Sequence, residues 1–140
     1  MFSFSNGNFM PSNQSIMNKF FLQTGAILAA LSVAIGAFGA HVFKASLEAM
    51  GRTDTFETAA RYQMYGAIGL LIIGILSNTF KHAFIRYAGN ALLVGTIIFA
   101  GALYMICATG VTMWGAVAPI GGTCLIVGWV LVALGIAKSK

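Results

Sequence analysis

Apolar residues in this chain do not alternate with polar ones; they run on. Four apolar stretches, at about 20–43, 62–80, 87–108 and 114–137, are separated by short polar segments. A hydrocarbon core about 30 Å thick needs roughly 20 apolar residues of helix, which each stretch supplies. The pattern predicts an all-α integral membrane protein: a four-helix bundle whose sequence neighbours run antiparallel. Composition agrees, with 59% hydrophobic and 8% charged residues among 140. A water-soluble domain this small could not hide so much apolar surface.

Two parts are expected: a polar, flexible N-terminal arm at 1–18 and a single four-span domain at 19–140. The arm is rich in Ser and Asn, with Phe2, Phe4 and Phe9 interspersed. Such a composition does not pack alone, and the three aromatic rings are its natural anchors on a partner. The first apolar stretch exceeds the roughly 7–15 residues of a signal-peptide core. Ala37-Phe38-Gly39 imitates a cleavage site, but an uncleaved first helix is the expectation.

Charge sets the orientation. Lys19, Lys81, Arg86, Lys138 and Lys140 fall on one side of a four-span topology, and Lys44, Arg52 and Arg61 on the other. The excess predicts both termini in the cytoplasm. The net charge of +5 is spread over helix ends, which suits anionic lipid headgroups and excludes a nucleic-acid stripe. All three acidic residues, Glu48, Asp54 and Glu57, lie in the segment 44–61. Glu48 with Arg52 and Glu57 with Arg61 are i,i+4 pairs. Asp54 followed by Glu57 resembles a capping box, which starts a helix there that runs on into the second span. A solvated turn with local ion pairs explains the cluster better than a catalytic carboxylate site.

Small residues recur at helical spacing, Ser32, Gly36 and Ala40 on the first helix and Ala91 and Gly95 on the third. In lipid such stripes let backbones approach. Cys107 and Cys124 lie in different spans, at depths that differ by roughly 14 Å at 1.5 Å per residue. They therefore form no disulfide.

Four patterns converge at one end of the bundle: Gly36-Ala37-Phe38-Gly39-Ala40-His41, Arg61-Tyr62-Gln63-Met64-Tyr65, Phe99-Ala100-Gly101-Ala102-Leu103-Tyr104, and Trp114-Gly115-Ala116-Val117-Ala118-Pro119-Ile120-Gly121-Gly122. Antiparallel neighbours bring them to the outer side. This defines a candidate polar and aromatic cluster of His41, Arg61, Gln63, Tyr65, Tyr104, Trp114 and Pro119. His41, Gln63 and Tyr104 are expected at similar depth, with His41 within hydrogen-bond reach of a polar group of the second helix or its lead-in, Gln63 being the first candidate. A structural hydrogen bond explains His41 better than titration or metal ligation. Pro119 reads as a helix start or mild kink.

These motifs resemble the YgdD/YwdK-like small membrane proteins of bacteria, which have a mitochondrial TMEM-type relative. The resemblance runs from about residue 20 to 137, and the His41-ending motif is its most specific element. It implies a four-helix fold in a bacterial inner membrane and no established activity. Relatives usually carry a histidine where this chain has Gly66, and a threonine where it has Ala118.

The span interiors hold no Asp, Glu, Lys or Arg, which weakens a proton-coupled transporter. No Ser/His/Asp set, phosphate loop or Cys/His cluster is present, so no catalytic, cofactor or metal residue is assigned. The sequence points to a non-catalytic multi-pass protein in contact with membrane lipids. Its expected role is an accessory or assembly subunit of a larger complex, or a small homo-oligomer. The alternatives are a channel or carrier for a neutral or lipid-like molecule, and a lipid or quinone binder using Tyr65, Tyr104 and Trp114.

Overall fold

The computed structural model describes residues 13–139. The helices are α1 (Asn13–His41), α2 (Lys44–Ala49), α3 (Thr53–Thr79), α4 (Ala83–Thr109) and α5 (Ala118–Lys138), with a 3-10 turn at Thr112–Ala116 leading into α5. Four of these segments are long and apolar enough to cross a membrane.

The helices overrun the apolar stretches. Hydropathy marks residues that prefer lipid, whereas a helix continues as long as its backbone hydrogen bonds do. Helix α1 begins at Asn13, so the last six residues of the expected arm are helical. Asn18 among them is buried and donates to Oδ1 of Asn78 at 2.7 Å. Phe2, Phe4 and Phe9 lie outside the described residues.

Helix α3 begins at Thr53, nine residues before the apolar stretch at Tyr62 and where the Asp54/Glu57 pattern predicts a helix that runs on into the second span. Its polar first turns stand opposite the apolar end of α1. Arg52 is the N-cap and makes no side-chain cap, so Asp54 falls inside the first turn and the expected capping box does not form. The Asp54 carboxylate instead complements the positive end of the helix dipole. Glu57 and Arg61 pair as expected, loosely, at 3.9 Å. Glu48 and Arg52 share no helix: α2 ends at Ala49 and Gly51 turns the chain at φ +62°. The i,i+4 geometry that would join them is lost.

Packing follows chain order, α1 on α3, α3 on α4 and α4 on α5, all antiparallel. The buried positions of α5 are Ala118, Gly121, Leu125, Gly128, Val132 and Gly135. Their alternating three- and four-residue spacing is the seam of a left-handed helix pair. Gly95 and Gly121 set its depth. A Cβ at Gly95 would come 2.8 Å from the Leu125 amide nitrogen and 2.9 Å from the Gly121 carbonyl, so the two backbones touch. Lipid supplies no hydrophobic drive between helices, and this close approach supplies the dispersion contact instead.

Helix α1 meets α3 along Gly25, Ser32 and Gly39, seven residues apart. Ser32 donates to the Ala60 carbonyl at 2.7 Å, and a Cβ at Gly39 would fall on the Phe56 ring. The stripe expected from sequence, Ser32, Gly36 and Ala40, contributes only Ser32. A Cβ at Gly36 meets nothing within 4 Å and Ala40 is exposed. Between the helices, Phe21, Leu70, Ile73, Ile85 and Leu92 fill the core. Cys107 and Cys124 are both free thiols.

Candidate functional site

Gln63 stands ten residues into α3, at the crossing with α1, and is only 5% exposed. Its Nε2 donates to the Leu28 carbonyl of α1 at 3.0 Å. Its Oε1 accepts from the Tyr104 hydroxyl of α4 at 2.9 Å. The reversed amide would set its oxygen against the Leu28 carbonyl, two acceptors facing each other, so the network admits one orientation. One side chain thus ties three helices. Side chains lean toward the N-terminus of their own helix. Gln63 and Tyr104, on antiparallel helices, therefore lean toward each other although their backbones sit at different depths.

Tyr104 is held from its other face by Phe56, whose ring meets it edge-on at 5.5 Å between centroids. Phe56 in turn covers Gly39. The chain of contacts runs from Gly39 through Phe56, Tyr104 and Gln63 back to Leu28, polar at its centre and aromatic on its outer side.

His41 is not part of it. Leu28, which Gln63 contacts, is thirteen residues before His41, about 20 Å along a helix at 1.5 Å per residue. His41 is exposed at the end of α1. The expected hydrogen bond with Gln63 fails because α3 begins nine residues earlier than its apolar stretch, which carries Gln63 well inside the bundle.

The other expected residues divide between surfaces. Arg61, with Lys44, Glu48, Glu57, Gly36 and Ala40, lines a cavity of about 450 Å³ between α1, α2 and α3. Tyr65 is exposed and rests edge-on against Tyr62, 5.6 Å between ring centroids. Tyr62 lies 4.7 Å from the Phe99 ring. These aromatics and Trp129 wall a groove of about 290 Å³ over Gly66 and Gly122. Tyr104 and Trp114 are not among its walls. Trp114 sits on the 3-10 turn, and Pro119 occupies the first turn of α5, where a missing N–H leaves no helical bond unmade.

Gly66 has no room for a side chain. Any Cβ there would collide with the Thr96 side chain, which is itself buried and donates to the Leu92 carbonyl at 2.6 Å. Two polar ties escaped the sequence reading: Asn18 with Asn78, and Ser32 with Ala60. Asn18 precedes Phe21, Leu22 and Gly25 by three, four and seven residues, and that helical period marks it as a packed position.

Among the described residues no group of His, Cys, Asp and Glu could hold a metal ion. No solved structure matches the chain. Residues 35–122 match the family described as a protein of unknown function, DUF423. The chain is 40% identical to a UPF0382 membrane protein of Staphylococcus saprophyticus over 120 residues, covering 86% of this chain and 98% of that one. It is 31% identical to the UPF0382 membrane protein YwdK of Bacillus subtilis over 121 residues, again covering 86% and 98%. The match spans nearly the whole of each relative, and the chain belongs to the DUF423/UPF0382 family of membrane proteins, whose function is unknown.

Proposed function

We propose that this protein is a non-catalytic component of the bacterial cytoplasmic membrane that acts by docking against other transmembrane helices. It serves as an accessory or assembly subunit of a larger complex, or as its own homo-oligomer. The observation that carries this reading is the free face of α1. In its apolar window 17% is buried, against 44% for α3. The buried line Gly25, Ser32 and Gly39 faces α3, and roughly 150° round the helix, at 3.6 residues per turn, runs a second line. Gln23, Ala26, Ala30, Ala34, Ala37 and His41 are all exposed along it. Small residues at this spacing admit a partner backbone, and the polar side chains at either end gain hydrogen-bond partners in such a contact.

Ala30→Leu together with Ala34→Leu tests this. Both positions are exposed, so the fold should be kept, while proteins co-isolated in mild detergent, or self-assembly, should fall severalfold. Unchanged association, or movement of a neutral solute across liposomes by the purified protein alone, would reverse the reading in favour of a channel.

The aromatic groove of Tyr62, Tyr65, Phe99 and Trp129 favours a second reading, binding of a flat-ringed lipid or a quinone. Quenching of Trp129 fluorescence by a quinone analogue, lost in Gly122→Leu, would support it.

The orientation proposed has both termini in the cytoplasm. A cysteine at Ser139 should resist an impermeant maleimide in intact cells, and one at Thr53 should react. The opposite pattern would invert the topology.

A further inference from the structure

The connection between α3 and α4 shapes a second cavity, of about 290 Å³, at the end of the bundle opposite His41. Lys81, His82 and Arg86 line one side of it, and Asn18, Phe21 and Ile85 the other. All three acidic residues of the chain are at 48, 54 and 57, on segments at the far end. No aspartate or glutamate side chain therefore balances Lys81 and Arg86.

Each of these three side chains is oriented by the fold and keeps donors to spare. The Lys81 ammonium spends one hydrogen on the Ser77 carbonyl at 3.0 Å and retains two. Nδ1 of His82 accepts from the Phe84 amide at 3.2 Å, so in the neutral ring Nε2 carries the proton and is a donor. The Arg86 guanidinium is 5.5 Å from the centroid of the Tyr87 ring, a contact through its face that leaves its N–H edge free. The opposite wall is apolar at Phe21 and Ile85. Donors without acceptors above an apolar floor at a helix end match an acidic phospholipid, phosphate outermost and acyl chain toward the core.

We infer that this cavity binds the phosphate headgroup of an anionic phospholipid, held by Lys81, His82 and Arg86. The site is separate from the α1 face and stands whether or not that face docks a partner. In the orientation proposed above it opens to the cytoplasmic leaflet, where anionic lipids attract basic residues.

The test is native mass spectrometry of the full chain in detergent, titrated with phosphatidylglycerol and separately with phosphatidylcholine. Phosphatidylglycerol should bind the wild type at least about tenfold more tightly, on the scale of two lost basic contacts. Lys81→Gln with Arg86→Gln should abolish the preference, and Lys81→Arg with Arg86→Lys should restore most of it. Lys19→Gln with Lys138→Gln removes the same charge from the same end without touching the cavity and should retain it. Equal loss in both neutral pairs would show diffuse surface attraction and overturn the site. Displacement of the lipid by millimolar inorganic phosphate would overturn the lipid assignment in favour of a soluble phosphate.

Discussion

Gly121→Leu is expected to pry α5 from α4 and to be the most damaging single substitution in the bundle. A Cβ at Gly121 already overlaps the backbone of Phe99, and backbone cannot rotate away as a side chain can. Relief requires the helices to separate, which forfeits the contacts of Gly95, Leu125 and Gly128 together. The expected cost is about 3 kcal/mol, the upper end of the overpacking range, read as a lowered midpoint of unfolding in detergent. Cys124 reports on the same event, because its Cβ is 3.0 Å from where a Cβ at Gly95 would stand. Its alkylation should accelerate while that of Cys107, outside the seam, does not. Gly36→Leu is the control, with nothing within 4 Å of the added carbon, and should leave stability unchanged. An unaltered midpoint in Gly121→Leu would mean that α4 and α5 do not meet along this line.

Gln63→Leu should be the most costly loss of a polar group. It removes the donor to Leu28 and the acceptor for Tyr104 at once. Interhelical hydrogen bonds in membranes average about 0.6 kcal/mol each, with a maximum of about 1.7, so the expected loss is about 1–2 kcal/mol. Tyr104→Phe removes one of the two bonds and should cost about half as much, on the same scale. The double variant should cost less than the sum, since the Tyr104 hydroxyl has already lost its acceptor in Gln63→Leu. His41→Ala should leave stability unchanged. A double variant with fully additive losses would show that the two side chains act independently. A destabilising His41→Ala would return the histidine to the cluster.

The Gln63–Tyr104 contact shows how far the sequence could be followed. Both residues stood in motifs that antiparallel topology brings to one end, so their meeting was accessible from spacing alone. Their depth was not. Thr53, Asp54, Glu57 and Arg61 are polar, and hydropathy stops where they begin, yet α3 continues through them. The Asp54/Glu57 pattern does announce that helix, and its length carries Gln63 inward and leaves His41 at the rim. Asn18 was hidden for the same reason at the other end, behind a composition that reads as a flexible arm.

By itself the sequence determined the number of spans, their antiparallel order and the lipid environment. Each follows from the length and polarity of one segment at a time, because in hydrocarbon every segment must satisfy its own backbone. Only the tertiary structure decided which face of each helix is inside. All faces of these helices are apolar, so burial by a neighbour and burial in lipid are nearly equal in transfer free energy, and hydrophobic pattern cannot distinguish them. The choice falls to backbone contact and hydrogen bonding. Gly25, Ser32 and Gly39 therefore face α3 while Ala26, Ala30 and Ala34, equally small, face outward.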